Sequence, residues 1–103
     1  MKVIITTAAH ADLTAIGEFI ERDNPVRAAS FVDELTSRCE DLADSPQRYP
    51  LLPRHAADGI RRRVYRGYLI IYRIRNDVIE VLRVVHGARD YERLLSPGEE
   101  PPP

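Results

Sequence analysis

The sequence predicts an α+β domain in the order β-α-α-β-β-β-α, with a helical hairpin packed on an antiparallel sheet. Two patterns support this class: apolar residues recur every three or four positions up to about residue 43, and the period changes to two after Gly59. Helices and strands that are segregated along a chain typically pack as two layers. We therefore expect the helices on one face of the sheet and an exposed face opposite them. A length of 103 residues suits a single domain.

The first half of the chain predicts one short strand and two helices. Residues 2–6 are rich in β-branched side chains, and Thr7 is a suitable N-cap for a helix over 8–22. Asn24 then caps a second helix, because proline follows it in the position that proline favours at a helix start. The apolar stripe of this second helix continues to about residue 43. A short turn between the two helices makes them an αα-hairpin.

The second half predicts an extended connection and a three-stranded meander. Three prolines between positions 46 and 53 exclude a regular helix there. Strands over 60–66, 68–74 and 78–85 follow, and their short connections predict antiparallel pairing. The predicted core comprises Ile16, Ile20, Phe31, Leu35 and Leu42 on the helices and Ile70, Tyr72 and Val81 on the strands.

A short helix over 88–95 and a tail over 96–103 complete the prediction. The tail is rich in proline and glutamate and is expected to be disordered, so residues 1–95 form the one domain. No apolar run approaches the length of a membrane span, and no signal peptide precedes the first strand. We therefore expect a cytoplasmic protein without membrane contact.

Several classes of site are excluded by what the sequence lacks. Cys39 is the only cysteine, which excludes a disulfide framework and a cysteine zinc site, and it fits the apolar stripe as a small buried residue. His10 and His55 have no partners at metal-ligand spacing. The sequence also has no phosphate-binding loop, no dinucleotide-binding glycine pattern and no HExxH motif. We therefore expect neither a metal nor a cofactor.

Charge is separated along the chain although the formal net charge is only −1. Residues 1–44 hold four basic and nine acidic side chains, whereas residues 45–95 hold eleven arginines and five acids. Fourteen of the fifteen basic residues are arginine, which suits forked contacts with carboxylate or phosphate. The separation favours an anionic partner. The alternative is a solvated face with local ion pairs.

The arginines after Gly59 are the most conspicuous candidates for a binding surface. Neighbouring residues of a strand point to opposite faces, so Arg61 and Arg63 share a face with Tyr65. If Ile60 and Val64 point into the core, these arginines lie on the exposed face, where they could bind a phosphate backbone or an acidic peptide. The alternative is an edge strand that charge protects from aggregation.

Two further groups of side chains have a functional and a structural interpretation. His86 and Arg89, at the end of the last strand, could form an acid–base and electrostatic pair. Alternatively, His86 packs at the sheet edge and Arg89 pairs with a nearby carboxylate. The tyrosines of the meander could stack on bases, or they could pack at the edge of the core with their hydroxyls in water. These tyrosines are Tyr65, Tyr68 and Tyr72.

Four stretches carry a family resemblance: Asp23-Asn24-Pro25 followed by Ala28-Ala29 and Phe31; Leu42-Ala43 with Ser45-Pro46; Gly67-Tyr68 leading to Ile71-Tyr72-Arg73; and IEVLRVVHGARD at 79–90. The last is the most specific. With the element order, they resemble the toxins of the ParE/RelE superfamily, the toxic halves of bacterial type II toxin–antitoxin modules, often called plasmid stabilisation proteins. The resemblance covers residues 1 to about 95 and implies the fold predicted above.

The resemblance implies two activities on one fold. RelE-like members are ribosome-dependent mRNA endonucleases that need no metal, and ParE-like members poison DNA gyrase. Arg89 falls on an arginine of the cleaving branch, and arginines among 61–63 loosely match its basic pair. However, Leu69 and Leu95 replace its arginine and its late tyrosine, and Tyr91 is one turn too early. We therefore expect a ParE-like inhibitor that is not an enzyme. In the RelE-like alternative, a metal-independent ribonuclease, Arg89 and His86 are the candidate catalytic residues.

The resemblance also implies a cognate antitoxin, whose acidic C-terminal segment wraps the toxin in a hetero-oligomer. The basic second half of the chain is compatible with such a partner. A third alternative is a family member that has lost toxicity and only binds its antitoxin. The candidate partner-binding residues are Arg61, Arg63, Arg66, Arg73, Arg83 and Arg89.

Overall fold

The computed structural model describes residues 1–87. Its elements are, in chain order, β1 (Lys2–Ile5), α1 (Thr7–Glu21), α2 (Pro25–Glu40), β2 (Ile60–Tyr65), β3 (Tyr68–Arg75) and β4 (Val78–His86). The predicted α+β class and the predicted order up to the last strand are confirmed. The predicted final helix over 88–95, the tail over 96–103 and Arg89 lie outside the described residues.

The first helix begins one residue earlier than predicted. Thr6 rather than Thr7 is its N-cap: the backbone of Thr6 is extended, and its Oγ1 accepts a hydrogen bond from the Ala9 N–H at 3.3 Å. The same hydroxyl donates to the carbonyl of Val81 on β4 at 2.8 Å. One threonine therefore both starts α1 and ties it to the sheet, which explains the shift.

The second helix begins as predicted. The side-chain oxygen of Asn24 accepts from the Arg27 N–H at 3.0 Å, and Pro25 occupies the first turn. The α-helix ends at Glu40, and a single 3₁₀ turn over Asp41–Ala43 continues the apolar stripe. A tightened last turn of this kind is common at helix ends.

The sheet has four strands in the order β1-β4-β3-β2. β2, β3 and β4 pair antiparallel, as the meander prediction requires. β1 joins the sheet beside β4 in parallel, so the whole sheet is mixed rather than purely antiparallel. Parallel pairing follows from the two helices, which carry the chain back before it re-enters the sheet.

The connections within the meander are two-residue turns. Arg66 and Gly67 have φ of 48° and 86°, and Asn76 and Asp77 have φ of 53° and 63°. Two consecutive left-handed residues match the right-handed twist of the flanking strands. Arg66 therefore holds a backbone conformation that asparagine or glycine would adopt more easily.

The proline-rich connection covers the outer edge of β2. It contains no regular α-helix, as predicted, but it forms a kinked 3₁₀ helix over Pro53–Asp58. Before this helix, Leu52 donates its N–H to the Ile60 carbonyl at 2.8 Å, and the Pro50 carbonyl accepts from the Arg62 N–H at 3.1 Å. These bonds satisfy backbone groups that an edge strand would otherwise expose.

The main core lies between the helical hairpin and one face of the sheet. Leu35, Cys39 and Leu42 are fully buried there, and Ile20 is partly buried. This agrees with the predicted core. On the strands, the main core contains Tyr68, Ile70, Tyr72, Ile79, Val81 and Val84.

The opposite face of the sheet, called the far face below, is not the exposed face that was predicted. Leu69, Ile71 and Val85 are buried on it, and Leu52 from the proline-rich connection packs against them. Ile60 is partly buried at the margin of this second cluster. The prediction was wrong because β3 is apolar at consecutive positions, so both of its faces need cover.

An ion pair holds α1 against the end of β4 that β1 does not reach. The guanidinium of Arg83 donates from Nε and Nη2 to the two carboxylate oxygens of Asp12, at 2.7 and 2.8 Å. The Val84 N–H also donates to Asp12, at 2.9 Å. The carboxylate thus satisfies a strand-edge amide and fixes the helix at the same time.

Leu35→Ala is expected to lower the free energy of unfolding by about 2–5 kcal/mol, because the fully buried site is only partly refilled after truncation. Urea denaturation of the purified protein measures this loss. Val26 on the same helix is 82% exposed, so Val26→Ala is a matched control with an expected change below about 0.5 kcal/mol. A Leu35→Ala loss no larger than that of the control would contradict the described core.

Candidate partner-binding surfaces

The structure separates the arginines that were predicted to bind a partner. Cross-strand neighbours share a face, and Ile60 pairs with Arg73, so Arg73 lies on the far face. The guanidinium of Arg83, which lies beside the bulge of β4, instead reaches Asp12 of α1 at the margin of the sheet. Arg61 pairs with Tyr72, which belongs to the main core on the helix side. The predicted set therefore does not form one surface.

Carboxylates hold the predicted arginines of β3 and β4. Arg73 donates to Glu80 Oε1 at 2.8 Å, and Arg75 approaches the same oxygen at 4.0 Å. Arg83 is held by Asp12, as described above. The charges of Arg73 and Arg83 are therefore balanced within the protein, and the centre of the far face is apolar.

The expectation that Arg61 and Arg63 lie on an exposed face is wrong. Val64 is 60% exposed and does not point into the main core. The two arginines lie on the helix side, where Arg61 donates to the Tyr49 carbonyl at 2.6 Å and Arg63 donates to the Arg38 carbonyl at 2.7 Å. Burial would strip their guanidinium groups of water, and these carbonyls replace that hydration.

Two tyrosines at the junction of β2 and α2 are each approached by two arginines. The guanidinium carbons of Arg63 and Arg48 lie 5.0 and 5.6 Å from the ring centre of Tyr49. A cation this close to an aromatic face is attracted to the ring. The guanidiniums of Arg38 and Arg66 approach Tyr65 in the same way, at 4.7 and 5.6 Å. We call this surface the arginine–tyrosine edge; it comprises Arg27, Arg38, Arg48, Arg61, Arg63, Arg66, Tyr49 and Tyr65.

Glu34 is the carboxylate at one end of the arginine–tyrosine edge. Arg27 donates to its Oε2 at 2.6 Å, the Tyr65 hydroxyl donates to its Oε1 at 2.6 Å, and Arg66 lies 3.9 Å away. The hydrogen bond from Arg27, followed by that from Tyr65, lowers the pKa of Glu34 to about 2. The group is therefore ionised at neutral pH.

Sequence reasoning missed the helix contribution to this edge. On α2, Glu34 lies seven positions after Arg27, and Arg38 lies eleven positions after it. This spacing places the three side chains on one helix face. That periodicity could have revealed the group. The contribution of Tyr49 had no comparable signal, because a tertiary contact brings the proline-rich connection to β2.

His86 lies on the helix side of the sheet. It pairs with Tyr68 across β3 and β4, and their rings meet edge to face with centres 5.3 Å apart. Tyr68 in turn packs against Phe31 of α2, with ring centres 5.5 Å apart. This placement agrees with the structural interpretation of His86 as a packed residue at the sheet edge. Its predicted companion Arg89 lies outside the described residues.

The remaining candidate side chains have structural surroundings. Tyr72 is fully buried and donates its hydroxyl to the Pro46 carbonyl at 2.6 Å, so the expectation of a hydrated phenol is wrong for this residue. Burial raises the pKa of the Cys39 thiol to about 12, which disfavours the reactive thiolate. Within residues 1–87, no three histidine, cysteine or acidic side chains converge to hold a metal ion. No helix in the same range is long and apolar enough to cross a membrane.

Glu34→Gln is expected to destabilise the protein near pH 7 and to lose this effect in acid. Because the folded-state pKa is lowered from 4.5 to about 2, the ionised carboxylate stabilises the fold above pH 4.5, and this contribution disappears as the pH falls through about 2. Thermal midpoints of both proteins between pH 7 and pH 2 test this. Glu40→Gln removes an exposed carboxylate from the same helix and serves as the control. A wild-type advantage that does not change with pH would contradict the assignment.

Comparison with known proteins agrees with this architecture. The family model described as "ParE toxin of type II toxin-antitoxin system, parDE" matches residues 3–91. Among curated proteins, Toxin RelE2 of Caulobacter vibrioides is 33% identical over 88 residues, which are 85% of this chain and 97% of that protein.

Two solved structures share the fold. The chromosomal ParDE system from P. aeruginosa matches with a TM-score of 0.73 at 21% identity, over 84% of this chain and 95% of that one. The RelBE2 toxin–antitoxin complex from Mycobacterium tuberculosis matches with a TM-score of 0.63 at 27% identity, over 82% and 95%. Because the family match spans most of the chain, and the sheet and hairpin are those of its structural relatives, this protein belongs to the ParE toxin family of type II toxin–antitoxin systems.

Proposed function

We propose that this toxin acts on DNA gyrase by binding, and that it does not cut mRNA on the ribosome. The observation that carries the proposal is the chemistry of the far face. Cleavage of RNA without a metal needs one group to accept the 2′-hydroxyl proton and another to protonate the leaving oxygen. Within residues 1–87, the centre of the far face is formed by Leu52, Leu69, Ile71 and Val85, which supply neither.

The arginines around this apolar centre do not provide the missing base. A guanidinium remains protonated in proteins and can hold a phosphate but not accept a proton. Arg73 and Arg83 are also paired with carboxylates of the protein. Glu80, the carboxylate opposite Arg73 on this face, is held by that arginine, and His86 packs against Tyr68 on the helix side. These contacts favour a docking surface over a catalytic centre.

A RelE-like ribonuclease remains the second candidate, because the curated relative is named Toxin RelE2. In that case Arg89 would stabilise the phosphate and His86 would carry the proton. A toxin-fold protein that only binds its antitoxin is the third. These candidates differ in measurable activity, so one experiment separates them.

The partner expected for the toxin is a cognate antitoxin. The solved structures that share this fold are described as a ParDE system and a RelBE2 toxin–antitoxin complex. We propose that the acidic C-terminal segment of the antitoxin contacts at least one of the predicted arginines and forms a hetero-oligomer with the toxin in the cytoplasm. Among the predicted arginines of residues 1–87, Arg66 is the exposed one, with 64% of its side chain accessible. A charge pair that loses its water in the complex contributes to affinity, whereas an exposed pair at the rim mainly affects the association rate.

Association of toxin and antitoxin is expected to be faster at low salt, because opposite charges steer the encounter and salt screens them. Stopped-flow measurements over a range of sodium chloride concentrations test this. Arg66→Gln should weaken the salt dependence, whereas Arg22→Gln, at the end of α1, should not. An association rate that is indifferent to ionic strength would count against the charge argument, although not against the family.

Purified toxin is expected to stop gyrase-dependent supercoiling and to leave ribosome-bound mRNA intact. Both assays are run side by side with antitoxin-free protein. Arg89→Ala should weaken target binding without removing a chemical step. Codon-specific cuts in mRNA that disappear in His86→Ala, with supercoiling unaffected, would establish the ribonuclease instead. Inactivity in both assays would favour the non-toxic alternative.

A further inference from the structure

The arginine–tyrosine edge carries positive charge that the protein itself does not balance. Arg27 and Arg66 share the single carboxylate of Glu34. Within residues 1–87, the other four guanidiniums of the edge form no ion pair, since Arg61 and Arg63 donate only to backbone carbonyls. A neutral carbonyl satisfies donors but does not cancel a charge. The edge therefore presents six guanidinium groups against one carboxylate.

Two of these guanidiniums have donors to offer a ligand. Arg38 and Arg48 are positioned by the rings of Tyr65 and Tyr49, and within residues 1–87 neither side chain donates a hydrogen bond. A guanidinium has five N–H donors in a planar fork that matches the oxygens of a phosphate. Attraction to a ring restricts the arginine side chain before binding, so less conformational entropy is lost when the ligand arrives.

The edge is elongated rather than a single pocket. Arg27 and Arg38 stand eleven positions apart on α2, a separation of about 16 Å along a helix. Phosphates of one DNA strand follow each other about every 3.4 Å along the duplex axis, so this length matches about five of them. Contacts link the two ends, because Arg63 touches both Tyr49 and the backbone of Arg38, and Arg38 lies over Tyr65.

We propose that the arginine–tyrosine edge binds the phosphate backbone of a nucleic acid. Interleaved arginines and aromatic rings along a positive stripe are typical of surfaces that follow such a backbone. At Arg38 and Arg48 an acidic helical peptide is disfavoured because an amphipathic helix needs an apolar groove, and the rings there face guanidiniums instead. Neither residue is among the arginines proposed to contact the antitoxin. This binding would not require gyrase, and it would use the arginine–tyrosine edge and not the far face.

The test measures binding of fluorescein-labelled 20-base-pair DNA to antitoxin-free toxin by anisotropy, without gyrase or ribosomes. Each phosphate contact contributes about 0.9 to the slope of log affinity against log salt concentration. The double variant Arg38→Gln/Arg48→Gln is therefore expected to reduce the slope by about 2 and to weaken binding at least about tenfold at low salt. Both substitutions should preserve the fold, since neither side chain makes a hydrogen bond in the described structure.

Arg22→Gln is the matched control. Arg22 lies over the ring of Phe19 at 5.8 Å, so its substitution removes one charge and one ring contact of the same kind away from the edge, half of what the double variant removes. Its affinity and salt slope should stay close to those of the wild type. Circular dichroism verifies that all variants are folded.

Further probes identify the source of the phosphates. Single-stranded DNA and RNA of the same sequence are compared with the duplex, and binding of any of them that depends on Arg38 and Arg48 supports the proposal. A polyglutamate peptide of equal charge is the competing ligand. The proposal is overturned if the wild type binds no nucleic acid at low salt, if the double variant binds like the control, or if polyglutamate binds as tightly as the nucleic acids. Because gyrase is absent, these outcomes are independent of the supercoiling assay.

Discussion

Burial of β3 on both faces is the constraint on which the rest of this structure depends. Its residues from Tyr68 to Tyr72 are all buried, alternately against the helices and against the far-face cluster. A charged side chain at any of these positions would lose its hydration without a partner, which is strongly unfavourable. The arginines of the meander therefore lie on β2, in the first turn, on β3 after Tyr72 and on β4. The location of every candidate binding surface follows from this central apolar strand.

The charge separation seen along the chain is partly cancelled in space. Asp12 and Glu34 belong to the acidic first half, yet they hold Arg83 and Arg66 of the basic second half. Packing of the helical hairpin on the sheet brings these residues together. A count of charges along the sequence consequently overstates how much positive surface is available to a partner.

The two arginine-bearing surfaces differ in what they can do because their arginines have different partners. On the far face, a carboxylate holds Arg73 and the centre is apolar, while Asp12 of α1 holds Arg83 at the margin of the sheet. At the arginine–tyrosine edge, rings and backbone carbonyls position Arg38 and Arg63 and leave their charge in place. The first environment favours docking with little electrostatic attraction, and the second favours an anion.

Within residues 1–87, the sequence by itself determined which segments form helices and strands, because helix caps, turn residues and hydrophobic period are local properties. Asn24 and the turn at Asn76 behave as their residue types predict. Only the tertiary structure decided which way Arg61 and Arg63 point, that β1 pairs in parallel, and that Tyr49 meets β2. The alternation along β2 does not reveal which face meets the helices, because both faces carry arginine and the long apolar stem of an arginine can be buried while its charged end is not. That choice depends on how much apolar area each arrangement buries across the whole sheet, and such a sum involves residues distant in the chain.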